Sequence, residues 1–272
     1  MTILEDGIPP VISGHPAHPE HKLKLVTSDD RPFTCDGCMQ PGHGAGTRYR
    51  CEHERCDFDL HTCCARAEPT LTYPMFRDTT FVFLLEPPEA TAGRRGKHGQ
   101  HRCRVCDACG DVVRGFVYHG FDADLDLHPC CARLPERLVQ PDGRVFELQR
   151  TSPRPCGMCG ASGRRRDFWA YRSRVDGEDV DLHVVCMKEM ARLSWDAERQ
   201  SWAGGGQMIV QARPPAMDRM LQSLPGRTRR STGFQRFWKL VGAVVSVVIA
   251  VIFGNPVVMV AAIAGPGGLL RG

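Results

Sequence analysis

The stretch CDFDLHTCCARAEP, residues 56–69, contains a pattern, Asp-Leu-His-x-x-Cys, that decides how the rest of the chain is interpreted. The pattern returns in DADLDLHPCCARLPE from Asp122 and in EDVDLHVVCMKE from Glu178. A histidine and a cysteine three positions apart in a helical turn project to one side, which suits a pair of metal ligands. Three copies of one pattern indicate a small structural unit that recurs along the chain.

Each copy is preceded by a Cys-x-x-Cys knuckle, whose tight turn brings two sulfurs toward one point. A tetrahedral zinc site takes four ligands, commonly as two such short-range pairs. The spacing therefore predicts three zinc sites, formed by Cys35, Cys38, His61 and Cys64; by Cys106, Cys109, His128 and Cys131; and by Cys156, Cys159, His183 and Cys186.

Two of the copies contain adjacent cysteines, and the third copy shows which one is the ligand. Val185 stands where the others have Cys63 and Cys130, so this position tolerates an apolar residue. We interpret Cys63 and Cys130 as buried fillers. In CRVCDACG, alignment on the following glycine favours the Cys106/Cys109 pair over one that includes Cys103.

Composition supports metal binding by several small units. The 272 residues include 14 cysteines and 11 histidines, with 20 prolines and 28 glycines, which argues against one large core. The first residues, MTILEDGIPPVISGHP, lack the features of a secretory signal, so we expect a reducing compartment, where cysteines more often bind metal than form disulfides. With 35 basic and 31 acidic residues, the charge does not indicate a nucleic-acid partner.

The fold class that we expect is a set of small zinc-stabilised α+β modules, three in tandem, each with short β-strands and a short helix. The strand candidates HKLKLV, TTFVFLLE and RVFELQR precede the three knuckles, and the short helix is expected where DLHxxC opens it. The modules run over residues 15–78, 79–141 and 142–202, followed by a linker over 203–236.

The first module has residues for a second metal site. His21, Cys51 and Cys56 are predicted to share it, with His53, His18, His43 or Cys63 as the fourth ligand. The corresponding positions hold Gly120 and Ala123 in module two and Glu178 in module three. Those two modules are expected to lack the second site.

The series HKLKL, FTCDGC, YRC and CDFDLHTCCA resembles the plant divergent C-one domain, a cysteine/histidine-rich relative of the phorbol-ester/diacylglycerol zinc finger. The resemblance covers about residues 15–190 and is most specific in the first module. It implies a small β-rich zinc fold used for binding, often in signalling or stress responses.

The sequence departs from that family pattern in ways that concern the second site. Four residues separate Cys51 from Cys56 instead of two, and a late histidine is replaced by Tyr73 and by Gln140. The loops QPGHGAGTR and GDVVRG are mostly small or polar, so diacylglycerol is not expected as a ligand.

The C-terminal part is apolar, with no charged residue from Leu240 to Leu270. We expect a transmembrane helix over 237–264, and the basic residues upstream predict a tail anchor that leaves the modules in the cytosol. The alternatives are a buried helix or hairpin packed on the modules, an interfacial segment, or a soluble cytoplasmic protein.

These features predict a non-enzymatic zinc-binding interaction protein, an adaptor or signalling component whose partner is an unidentified protein. A site with four protein ligands has no open position for catalysis. The alternatives are a RING-like ubiquitin ligase and a nucleic-acid-binding zinc-finger protein.

Overall fold

The computed structural model describes a chain of short antiparallel sheets joined in series. The described residues are 8–27, 31–42, 47–89, 103–140, 143–160, 168–175, 177–189, 191–192, 196, 244–245 and 247–252.

The first module contains a four-stranded sheet and a separate hairpin. The sheet has the order β1-β2-β5-β6, and the hairpin β3-β4 flanks the first knuckle. The helix α1 follows β6 directly. The bounds are β1 Val11–Ile12, β2 Leu23–Val26, β3 Phe33–Thr34, β4 Pro41–Gly42, β5 Arg48–Cys51, β6 Asp59–His61 and α1 Thr62–Ala65.

The second and third modules repeat the four-stranded sheet, with the orders β10-β9-β8-β7 and β11-β12-β13-β14. Their helical parts are a 3-10 turn at Cys131–Arg133 and helical residues 184–189 and 191–192. Another 3-10 turn lies at Pro74–Phe76. The strands are β7 Thr70–Thr72, β8 Thr80–Leu84, β9 Val117–Gly120, β10 Leu125–Leu127, β11 Arg137–Val139, β12 Val145–Gln149, β13 Ala170–Val175 and β14 Glu178–His183.

Two details refine the expected module. The DLH residues form or adjoin the end of the last strand, and the helical turn begins after the histidine. The first strands of the second and third sheets, β7 and β11, lie before residues 79 and 142, where the sequence placed the module starts. The second and third sheets therefore each take an edge strand from the segment that follows the preceding HxxC pair.

A buried tyrosine anchors that edge strand in every module. The hydroxyls of Tyr49, Tyr118 and Tyr171 donate to the carbonyl oxygens of Pro9, Glu68 and Pro135, at 2.5, 3.0 and 2.7 Å. Each acceptor lies two residues before the first strand of its sheet. The recurring aromatic residue thus ties the third strand to the start of the first, because a buried phenol needs a hydrogen-bond partner.

The apolar interior forms two clusters. One belongs to module one and includes Phe116 and Cys130 of module two. The other joins modules two and three, with Phe81, Phe146 and Trp169 among its buried side chains, and includes the helical residues 244–245, 248 and 252. Within the ranges described, no helix is long and apolar enough to cross a bilayer. Most of the span expected over 237–264 lies outside those ranges.

Candidate metal centres

The structure brings together the four residues of each predicted tetrad. In all three modules the ligand atoms lie within 4.8 Å of one another. Nine of these twelve residues contribute sulfur, and the tetrads are buried except for the partly exposed Cys159. Cys103 is exposed and lies outside the tetrad of module two.

The spacing within the tetrads fits zinc. Ideal tetrahedral coordination, with Zn–S of about 2.3 Å and Zn–N of about 2.05 Å, separates sulfur from nitrogen by about 3.6 Å. The distances from the histidine Nδ1 atoms to the cysteine sulfurs are 3.4 and 4.0 Å in module one, 3.5 and 4.0 Å in module two, and 3.7 and 3.6 Å in module three. A single zinc ion fits between these atoms with small adjustments.

The histidine rings face the tetrads through the same atom. In each case Nδ1 points toward the sulfurs, and the Nε2 of His61 lies 3.1 Å from the carbonyl oxygen of Pro41. A metal on Nδ1 leaves Nε2 protonated, so that His61 donates to this carbonyl and its ring orientation is held. The buried Nε2 atoms of His128 and His183 have no hydrogen-bond partner among the described groups.

The knuckles share a backbone turn that directs both sulfurs inward. The carbonyl oxygen of the first cysteine accepts the N–H of the residue four positions later, at 2.8 to 2.9 Å. That residue has a positive φ: 56° at Met39, 77° at Gly110 and 66° at Gly160. Glycine takes this conformation at little cost, whereas Met39 adopts it as a non-glycine residue.

Backbone donors favour the thiolate form of the first knuckle cysteine. The N–H groups of His61, His128 and His183 lie 3.4, 3.5 and 3.4 Å from the sulfurs of Cys35, Cys106 and Cys156. Hydrogen bonds to a charged acceptor are stronger than those to a neutral one, so these donors stabilise the ligand in its metal-binding state. The contact recurs because the ligand histidine is adjacent to the knuckle in every module.

The electrostatics of the tetrads favour a cation at their centre. Burial alone lowers the pKa of the His128 imidazole, but the Cys106 and Cys109 thiolates raise this pKa to about 10. A hydrogen bond from Cys186, assisted by His183, lowers the pKa of Cys156 to about 3 although the thiol is buried. A zinc ion supplies the positive charge and takes the place of the imidazole proton.

The aspartate of each DLH sequence is hydrogen-bonded through its backbone to the knuckle of the same tetrad. The backbone oxygens of Asp59, Asp126 and Asp181 accept the N–H of the residue after the first knuckle cysteine, at 2.8 to 2.9 Å. This hydrogen bond joins the knuckle to the strand that delivers the histidine. The aspartate recurs visibly in all three copies of the repeat. Its contact with the knuckle, however, depends on how the strands pair and cannot be inferred from the repeat.

The carboxylates of these aspartates are buried and paired with cations. Asp59 lies 2.9 Å from Arg48, and Asp181 lies 2.7 Å from Arg172. Asp126 contacts Arg104 at 2.8 Å and His119 at 2.9 Å. Removing one member of a buried pair leaves an uncompensated charge, so each of these pairs contributes to the stability of the strand that delivers the histidine.

The second site of module one gathers His18 with the three predicted residues. His18, His21, Cys51 and Cys56 place one ligand atom each within 4.8 Å of the others, and the Sγ of Cys56 lies 3.6 Å from the Nε2 of His18. The buried Nδ1 of His21 has no hydrogen-bond partner among the described groups.

The other candidates for the fourth ligand lie elsewhere or are not described. The His53 ring stacks on the His21 ring at 4.1 Å but is not part of the cluster, and Cys63 lies beside the first tetrad. His43 lies outside the described residues. Sequence spacing could not decide between His18 and His53 as the fourth ligand. The contact between His18 and Cys56 joins residues 38 positions apart, so it depends on the tertiary fold.

The knuckles also connect consecutive modules. The N–H of Phe116 donates to the carbonyl of Gly37 at 2.8 Å, and the N–H of Trp169 donates to the carbonyl of Ala108 at 3.2 Å. Gly37 and Ala108 occupy the same position, immediately before the second knuckle cysteine. Modules two and three therefore each dock on the knuckle of the module before, using the residue that precedes the third strand of their own sheet.

Comparison with known proteins identifies one part of the chain. Residues 16–65 match the family described as C1 domain. No curated protein and no solved structure is significantly similar to the chain. The match covers the first module with both of its Cys/His clusters, and the tetrad recurs in the two modules that follow.

Proposed function

We propose that this cysteine/histidine-rich, C1-like zinc-binding protein acts as a non-enzymatic interaction protein, an adaptor in which zinc holds a protein-binding surface together. The observation that carries the proposal is the closure of the tetrads. Each one surrounds its centre with four protein ligands, and eleven of the twelve ligand residues of the three shared tetrads are buried. Closed sites of this kind are structural, whereas a catalytic zinc site keeps a position for water or substrate.

Zinc is needed because the modules are small. Units of this size bury too little apolar surface to fold securely alone, and structural zinc contributes about 10–16 kcal/mol of apparent binding free energy. The contacts of Phe116 with Gly37 and of Trp169 with Ala108 then favour a platform in which three modules are docked in series. Such a platform suits recognition of a folded partner protein better than turnover of a small substrate.

A test of this proposal compares the neighbours of the full-length chain in cells by proximity labelling. A His61→Ala/Cys64→Ser variant removes half of the first tetrad, and Cys103→Ser serves as the control because Cys103 is exposed and outside the tetrads. We expect a defined set of proteins that the control retains and the tetrad variant loses. Equal recovery by all three proteins contradicts zinc-dependent recognition.

A RING-like ubiquitin ligase is the second candidate, because module one interleaves its two sites. His18 and His21 precede the Cys35/Cys38 knuckle, whereas Cys51 and Cys56 follow the knuckle and precede the His61/Cys64 pair. A discharge assay with ubiquitin-loaded conjugating enzyme distinguishes the two functions. Acceleration by the zinc-loaded chain, lost in the tetrad variant, supports the ligase; an unchanged rate supports the adaptor.

A membrane tether over 237–264 belongs to the same proposal. It is supported by the absence of charged residues from Leu240 to Leu270 and by the basic residues upstream. Against it, Val244 and Val248 are buried in the same apolar cluster as Met187, which favours a segment packed on the modules. Retention of the full-length chain in membranes after carbonate extraction supports the tether, and its release supports packing.

A further inference from the structure

Two cysteines outside the predicted tetrads meet at the junction of the first two modules. The sulfurs of Cys63 and Cys130 lie 2.6 Å apart, although 67 positions separate the residues. A disulfide bond is about 2.05 Å long, so a small displacement closes the gap. We propose that Cys63 and Cys130 are a redox-sensitive pair that forms a reversible disulfide between modules one and two while the zinc sites stay intact.

The first support is that neither thiol is required by the shared tetrad. In module three the same position is occupied by Val185, and that tetrad still assembles from Cys156, Cys159, His183 and Cys186. A zinc site therefore closes with a hydrocarbon side chain before its last cysteine. The thiols of modules one and two are available for other chemistry.

The second support is the placement of the pair across an interface. Cys63 lies in α1 of module one, and Cys130 immediately precedes the 3-10 turn of module two. Cys130 nevertheless packs in the apolar cluster of module one, together with Phe116. A bond between the two sulfurs would therefore join two modules at a contact that already exists.

The two thiols differ in solvent exposure, and this difference sets the order in which they react. Cys63 is half-buried, whereas Cys130 is 1% exposed. A small peroxide thus reaches Cys63 first. The Cys63 sulfur attacks one peroxide oxygen, the O–O bond breaks, water leaves after proton transfer, and Cys63 becomes a sulfenic acid. The buried Cys130 is positioned to resolve this species.

In the second step the Cys130 sulfur attacks the Cys63 sulfur. The S–S bond forms, the S–O bond breaks, and the hydroxide that leaves takes the Cys130 proton to become water. Two thiols and one hydrogen peroxide give one disulfide and two water molecules, with two electrons passing from sulfur to peroxide. A dithiol reductant reverses the bond by thiol–disulfide exchange.

Metal binding is the alternative role for Cys63 and Cys130, and the experiment must distinguish it from disulfide formation. Cys63 and Cys130 also lie near His61 and Cys64, so the four residues could hold a metal ion. His61 and Cys64 already belong to the first tetrad, however, and a second ion would have to share both of them. Loss of zinc on replacing Cys63 or Cys130 would identify that use and overturn the redox assignment.

The experiment treats the zinc-loaded full-length chain with hydrogen peroxide, alkylates the remaining thiols and maps the peptides by fragmentation. We expect a Cys63–Cys130 linkage, a mass lower by two hydrogen atoms, unchanged zinc content, and reversal by a dithiol. Cys63→Ala and Cys130→Ala should each reduce the linked species at least tenfold, whereas Cys103→Ala should retain it. Linkage chiefly between tetrad cysteines with release of zinc, or absence of the linkage in the unsubstituted chain, overturns the proposal.

Discussion

The ammonium group of Lys188 lies 3.2 Å from the sulfur of Cys109, so a side chain of module three donates to the zinc tetrad of module two. Lys188 is 4% exposed and also contacts Asp111 at 2.9 Å. Burial alone lowers the pKa of Lys188, but the Cys109 and Cys131 thiolates and Asp111 raise it well above its ordinary value. A zinc ion with three thiolates and one neutral imidazole carries a net negative charge, which this lysine offsets.

Replacing Lys188 with methionine should weaken both the second zinc site and the docking of module three. The variant keeps the apolar stem but loses a hydrogen bond to a charged sulfur, worth about 1.5–3 kcal/mol. Mutation of a residue that hydrogen-bonds to a metal ligand typically lowers metal affinity by about 10–100-fold. Competition with a chromophoric chelator should show one zinc ion released more readily.

Arg192→Met is the matched control, since Arg192 is a helical residue four positions later and its side chain is 56% exposed. It should leave all zinc affinities unchanged. Equal behaviour of the two variants would show that Lys188 does not support the tetrad.

His18→Asn should remove one zinc ion per chain, because His18 completes the second cluster of module one. His53→Asn should keep the full complement, since the His53 ring stacks on His21 without joining the cluster. Metal analysis of the purified variants by mass spectrometry measures both outcomes. The reverse pattern would assign the fourth ligand to His53.

Gly37→Ala should destabilise the junction of modules one and two. A Cβ at this position would lie 2.5 Å from two ring carbons of Phe116, so the ring or the knuckle has to move. Overpacking of this kind costs about 1–3 kcal/mol. Thermal unfolding of the Gly37→Ala/Phe116→Ala double variant should show a loss smaller than the sum of the single losses. Strict additivity would mean that the two residues do not interact.

Asp181→Asn should destabilise module three by about 1.5–3 kcal/mol, because it removes a hydrogen bond between a fully buried carboxylate and the partly buried guanidinium of Arg172. Asp181 is fully buried and pairs with Arg172 at 2.7 Å. Asp179→Asn is the control, since the Asp179–Arg154 pair is 41% exposed on both sides and exposed pairs contribute at most about 1 kcal/mol. Denaturant unfolding of both variants compares the two losses, and similar losses would contradict the role assigned to the DLH aspartate.

The local part of this architecture was predictable from the sequence. The Cys-x-x-Cys and His-x-x-Cys spacings are set by single turns, so the predicted tetrads correspond to the clusters that the structure brings together. The Cys/His clusters confirm the expected zinc binding, and the family match over residues 16–65 confirms the C1-type resemblance. The strand candidates before the knuckles contain β2, β8 and β12.

Features that depend on which strands pair, and in which register, were not predicted. The edge strands β7 and β11 pair with the strands that follow them, β8 and β12, but the module boundaries expected at residues 79 and 142 separated the two members of each pair. The role of Asp181 requires the register that places Arg172 opposite it. The sequence alone favours buried fillers at Cys63 and Cys130, because nothing in either repeat shows that the two modules meet there.

Native mass spectrometry together with elemental analysis can measure the zinc stoichiometry of the full-length chain. We expect four zinc ions per chain, one in each shared tetrad and one in the His18, His21, Cys51 and Cys56 cluster. Three zinc ions in the unsubstituted chain and the same number in His18→Asn would remove the second site of module one. Two or fewer ions in a folded chain would show that zinc does not close all three modules.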